Sequence, residues 1–106
     1  MKIFRVKEHY QKEFDEYVLG PHELGNRVGY MTWGEMGPGR VKTLSPGHGH
    51  EEIITIVGGE AALEGGPIAR TGDTFYLPSG DGVTLTAGPE GCTYLSAGAH
   101  VEDHGH

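Results

Sequence analysis

Apolar and polar residues alternate in short runs along most of the chain, and only one segment follows a helical period. Between Glu8 and Val18, the residues Tyr10, Phe14, Tyr17 and Val18 fall at offsets of 0, 4, 7 and 8, which is one face of a helix. Gly20-Pro21 then supplies a stop signal. The spacing predicts a short helix over Glu8–Val18 whose aromatic face packs on the rest of the domain. Residues 2–6 alternate loosely and predict a short strand before it, and residues 20–26 read as a loop.

Beyond that loop the period changes to two. Strands are predicted over Arg27–Met36, Arg40–Leu44, Glu51–Val57, Glu60–Leu63, Thr74–Leu77, Val83–Ala87 and Cys92–Ala97, with a short one between Gly65-Gly66-Pro67 and Thr71-Gly72-Asp73. Gly37-Pro38-Gly39, Ser45-Pro46-Gly47, Gly58-Gly59 and Gly88-Pro89-Glu90-Gly91 read as the turns between them. Turns recurring about every 8–12 residues are the mark of a β-sandwich or barrel. Composition agrees. Glycine supplies 19 of 106 residues and proline 6, and both are poor in helix interiors. No three-residue glycine period is present, which excludes collagen.

The length fits a single domain. Residues 1–26 are expected to pack on a barrel formed by residues 27–101, with 102–106 a frayed tail containing histidine. The longest apolar stretch, around Ile53–Val57, is far too short for a membrane helix. Fifteen acidic against eight basic residues give a formal charge of −7. That disfavours nucleic acid and anionic membranes as partners. The light cluster Lys2, Arg5 and Lys7 reads as protection of a strand edge rather than an anion site. The lone Cys92 excludes an intrachain disulfide and reads as a buried thiol. The N-terminal residues lack the apolar core of a signal peptide, so a cytoplasmic location is expected.

The richest chemistry lies in Pro46-Gly47-His48-Gly49-His50-Glu51-Glu52. Along an extended chain His48, His50 and Glu52 project to one face. Ile54 and Ile56 continue that face, deeper in a barrel. Two imidazoles and a carboxylate suit a divalent metal (zinc, nickel, iron or manganese) with positions left for water or substrate. The competing reading is a solvated loop. His22 and His100 are further ligand candidates that read more readily as surface histidines, and the tail pair His104 and His106 could bind metal adventitiously. Among strand aromatics, Trp33 and Tyr76 are candidates to line a small-molecule pocket together with Ile54 and Ile56.

The order of motifs resembles the cupin superfamily. Glu51-Glu52-Ile53-Ile54-Thr55-Ile56-Val57-Gly58-Gly59-Glu60 looks like the family's first motif, with Glu52 seven positions before Gly59. Gly72-Asp73-Thr74-Phe75-Tyr76-Leu77-Pro78-Ser79-Gly80 looks like the opening of the second. The resemblance implies an all-β fold, the double-stranded β-helix or jelly-roll barrel, here preceded by a short helix. It also implies a homodimer, with Ile53 and Val57 as outward contributors. The motif's second histidine falls on His48, whereas its first falls on Pro46 and the histidine of the second motif falls on Val83. His50 stands at a non-ligand position of the motif. Two functions follow as expectations. One is a small-molecule-binding cupin with a metal at a noncanonical site of His48, His50 and Glu52, whose chemistry would be of dioxygenase, isomerase or lyase type. The other is a metal-free binding or regulatory cupin without catalytic activity.

Overall fold

The alternating runs fold into eight strands, described by a computed structural model over residues 1–25 and 29–101. In chain order they are β1 (Tyr10–Gln11), β2 (Glu16–Leu19), β3 (Gly29–Met36), β4 (Val41–Leu44), β5 (His50–Leu63), β6 (Ile68–Arg70), β7 (Thr74–Leu77) and β8 (Val83–His100). The two long strands build the barrel. Residues 50–56 of β5 pair antiparallel with residues 94–100 of β8, and this half-sheet extends through β3, β2 and β1 on one side and β7 on the other. Residues 61–63 of β5 pair with residues 85–87 of β8, flanked by β6 and β4. The two half-sheets face each other across a core of Met36, Leu44, Ile54, Ile56, Leu77, Leu85 and Tyr94, filled out by small residues and the buried Cys92. Burial pushes the Cys92 thiol up from its ordinary range, as expected for an inert core cysteine.

Two predicted turns are bends within continuous strands. Gly58-Gly59 carries β5 from one half-sheet to the other through register shifts, and residues 88–91 do the same for β8. The strands nearly touch there: a Cβ on Gly59 would sit 2.1 Å from the Gly91 carbonyl oxygen. Glycine at this bend serves close approach rather than chain reversal.

The N-terminal region differs most from expectation. No helix forms over Glu8–Val18, and residues 2–6 form no strand. The helical content is a 3-10 turn at Val6–Glu8 and a single turn, α1 (Pro21–Leu24), that begins at Pro21 where a stop was expected. Between them β1 and β2 make a hairpin, with Tyr10 directly opposite Tyr17 and their rings 5.5 Å apart. A spacing of seven residues is two helical turns, but it is also the distance between facing positions of a tight hairpin. Pairing with β3 decides in favour of the hairpin. Of the Lys2, Arg5 and Lys7 cluster, Lys7 forms an ion pair with Glu35 at 2.8 Å. The 26/27 boundary and the tail histidines His104 and His106 lie outside the described residues.

Candidate functional site

A cavity of about 430 Å³ opens where the hairpin turn, the segment after β4 and the start of β5 meet. Phe14, Val18, Leu44 and Pro46 supply its apolar wall. Its polar lining comes from the inward positions of four strands: Glu16 on β2, Tyr30 and Thr32 on β3, Lys42 on β4, and His50 and Glu52 on β5. Alternation along each strand explains the set, since these residues share a face with the core positions that follow them.

The way the carboxylates are held depends on a short repeat in the sequence. Tyr30-Met31-Thr32-Trp33-Gly34 on β3 and Tyr94-Leu95-Ser96-Ala97-Gly98 on β8 share the spelling Tyr-x-Thr/Ser-x-Gly. The two segments run antiparallel in one register, so Tyr30 faces Gly98, Thr32 faces Ser96 and Gly34 faces Tyr94. Each tyrosine ring lies over the glycine opposite. A Cβ on Gly34 would come within 2.1 Å of Tyr94 Cζ, and one on Gly98 within 2.2 Å of Tyr30 Cζ. Having crossed a strand, each phenol reaches a glutamate on the far side: Tyr94 donates a hydrogen bond to Glu16, and Tyr30 lies near enough to Glu52 for each to shift the other's titration. Between the crossings the Thr32 and Ser96 hydroxyls share a short hydrogen bond, and Ser96 Oγ donates to Glu52 Oε1 at 3.1 Å. The floor is thus a local twofold arrangement with one carboxylate at each end.

Electrostatics separate the two ends. Glu16 has a counterion, with Lys42 Nζ 3.9 Å away. Lys42 also donates to the Asp15 carbonyl at 2.8 Å and sits over the Tyr94 ring. Burial lowers the Lys42 amine below its ordinary value, partly offset by Glu16 and Asp15. Glu52 accepts hydrogen bonds but has no ion pair among the described residues. Burial, the largest cause, raises its carboxyl above the ordinary value; Glu16 adds to the rise, while Ser96, Tyr30 and His50 act against it. Burial first, and then the neighbouring carboxylates, hold both phenols well above the usual tyrosine range.

The hairpin turn closes one side of the cavity. Asp15 adopts a positive φ of 50° and is tied down by an Arg40 ion pair and by the Tyr10 hydroxyl at 2.7 Å. The Tyr10 hydroxyl and Arg40 hold the Asp15 carboxyl below its ordinary value.

The residues expected at the site divide. His50 and Glu52 line the cavity. His48 does not: it sits exposed in a turn, its Cε1 3.2 Å from where a Cβ on Gly80 would be. Gly47 and Gly49, at φ of 85° and 82°, break the extended backbone on which the shared face depended. Trp33 and Tyr76 point away from the cavity. Trp33 alternates with the inward Thr32 and Gly34 and donates to Glu35 at 3.2 Å, and the exposed Tyr76 donates to Glu51 at 2.7 Å. Ile54 and Ile56 do face inward, but both are fully buried in the core and line no part of the cavity. His100 pairs with His50 across β5 and β8, with rings 5.0 Å apart, whereas His22 is exposed on α1.

Comparison with solved structures assigns the architecture. The chain superposes on an uncharacterized Klebsiella pneumoniae protein with a double-stranded β-helix domain at a TM-score of 0.69, with 21% identity over 94% of this chain and 90% of that one. It superposes on a cupin protein from Bacteroides fragilis at 0.62, with 17% identity and 90% of each chain covered. The chain has the cupin fold. A variant of Bacillus subtilis oxalate decarboxylase matches this cupin barrel at a TM-score of 0.74 with 22% identity, covering 94% of this chain but 29% of the enzyme. The polyketide cyclase RemF from Streptomyces resistomycificus matches at 0.69 with 18% identity, over 93% of this chain and 79% of that one. No family model matches the sequence, and neither does any curated protein.

Cupin neighbours include a metal-bearing protein, since one structure of the Bacillus subtilis oxalate decarboxylase concerns its Mn(II) centers. The donor set in this barrel does not fit such an ion. Among the described residues no three His, Cys, Asp or Glu side chains are grouped as ligands. Pro46, aligned with the family's first histidine, lines the cavity with a side chain that cannot ligate, and Val83, aligned with the last, packs against the core. Among the described residues no helix is long and apolar enough to cross a membrane.

Proposed function

We propose that this cupin binds a small organic molecule in the cavity between β2, β3, β4 and β5, through hydrogen bonds and charge rather than through a metal. The observation that carries this reading is the cavity itself, about 430 Å³ with an apolar wall and convergent polar groups at its floor. That volume lies within the range of roughly 300–1,000 Å³ usual for small-molecule sites. An oxalate decarboxylase and a polyketide cyclase on the same fold support a small-molecule role. The metal reading retains His50 and Glu52 as donors and would need a third ligand brought into place, since among the described residues no three such side chains are grouped.

Elemental analysis of protein lacking residues 102–106 separates the two. We expect less than a tenth of an equivalent of metal per chain after growth in supplemented medium. About one equivalent, lost on His50→Ala, would overturn the metal-free reading. We also propose a homodimer. On the outer face of the barrel Ile53 and Tyr76 stand opposite each other and are both exposed, with Ala97 on the far side of Ile53, an apolar patch bordered by Glu51.

A further inference from the structure

The two tyrosine crossings do more than fill space. They fix the direction of two carboxylates that face one cavity from opposite ends of its floor, and they do so with rings whose positions admit no side chain on the strand beneath. Glu16 cannot swing out to water without giving up its Tyr94 donor, nor Glu52 without giving up Ser96. Lys42, among the described residues the one lysine or arginine lining the cavity, is already engaged by Glu16 and the Asp15 carbonyl. Glu13 adds a third carboxylate from the hairpin turn. Among the described residues three carboxylates face one committed ammonium and the His50 imidazole, a balance that disfavours anions. Glu52, half-buried and hydrogen-bonded by Ser96, forms no ion pair among the described residues and has only the His50 imidazole as a neighbouring positive group, so it is the carboxylate left to be neutralised. Across from it lies the apolar wall of Phe14, Val18, Leu44 and Pro46.

We propose that the ligand is a small organic cation with an apolar body, of the amidinium or alkylammonium class, whose charged head sits between Glu16 and Glu52. This rests on the small-molecule reading above and adds the ligand's charge and shape. The planar fork of an amidinium can donate to two acceptors at once, and its apolar body would cover the opposite wall. Tyr30 and Tyr94 are positioning residues. They hold the acceptors in place before the ligand arrives, so less ordering is needed when it binds.

The test uses three probes of one shape and different charge: benzamidine, benzamide and benzoate, titrated into the full chain by calorimetry and followed by backbone and side-chain NMR shifts. Benzamidine is expected to shift resonances of Lys42, His50 and Glu52 and to bind about tenfold tighter than benzamide, the worth of a hydrogen bond to a charged group. Benzoate is expected not to bind. Glu52→Gln and Glu16→Gln should each remove that preference for the cation. Tyr30→Phe and Tyr94→Phe keep the rings and hence the packing. They should lower benzamidine affinity several-fold and leave benzamide unchanged, a split that a purely structural role would not produce. Benzamide or benzoate binding in the cavity as tightly as benzamidine would overturn the cation assignment and leave the small-molecule reading standing. If none of the probes moves the cavity resonances, both fail. A preference for benzamidine that survives both Gln variants would also overturn the assignment.

Discussion

The two ends of this barrel are built from the same strands and differ in what those strands leave unfilled. Toward the bends, Ile56, Leu85 and the ring of Tyr94 pack with no exposed surface, and sheet alternation simply buries them. Toward the start of β5 the inward positions are Glu52, Thr32, Tyr30 and Glu16, and the half-sheets stay apart around a cavity. Burial of polar groups is tolerated only when they are hydrogen-bonded, and among the described residues no buried side-chain nitrogen or oxygen lacks a partner. The closed end therefore derives its stability from apolar contact. The open end derives its order from tyrosines placed over glycines.

Substitutions should separate the two ends. Ile56→Ala empties a fully buried site and should destabilise by about 4 kcal/mol, read from denaturant unfolding, while leaving probe binding to the folded fraction unchanged. Gly34→Ala puts a methyl into the Tyr94 ring, which has no exposed surface and so no room to move. It should cost about 3 kcal/mol and, unlike Ile56→Ala, perturb the Glu16 end of the cavity. Equal loss of binding in both variants would erase the distinction between the ends.

Smaller effects test the charges. The Arg40 ion pair with Asp15 is partly exposed, so Arg40→Ala should cost about 0.5 kcal/mol and increase hydrogen exchange in the hairpin turn. Glu52 predicts a pH dependence. Its carboxyl is raised above 4.5 by burial, so both states are protonated below that value. As pH rises, the unfolded chain ionises first and the native state loses stability until Glu52 ionises as well. Glu52→Gln should therefore melt higher than the parent at pH 7 and show no such gain at pH 3.5, as calorimetry would reveal. Least of all, Ile53→Lys on the outer face should leave stability within about 0.5 kcal/mol while shifting light-scattering mass from dimer to monomer.

Most of the barrel was legible because glycine punctuation and the spacing of Glu52, Gly59, Gly72 and Gly80 mark the bend of β5 and the turns on either side of β7, features that local sequence can express. The N-terminal hairpin was not, because Tyr10 and Tyr17 satisfy a helical period and a hairpin pairing alike, and only β3 decides between them. At the site, His50 and Glu52 were legible from strand alternation. His48 was misplaced because alternation fails where Gly47 and Gly49 take positive φ. Trp33 and Tyr76 were selected as aromatic, and the parity of their own strands turns them outward. Glu16 and Lys42 were missed, and Tyr30 was only one of several strand aromatics that could have faced a pocket. Their roles arise from contacts between strands far apart in the chain, although the repeated Tyr-x-Thr/Ser-x-Gly spelling was a visible sign.

That repeat also constrains how the sheet can assemble. Sliding β3 by two residues along β8 would keep every side chain on its own face, so alternation alone cannot forbid it. Such a slip would set Tyr30 over Ser96 or beyond the end of the glycine gap, and a ring that clears hydrogen would meet a side chain. Bump and hollow on each strand, repeated in reverse on the other, act as a two-pin key that admits a single alignment. The pieces that aim the carboxylates are thus the same pieces that choose the register of the sheet.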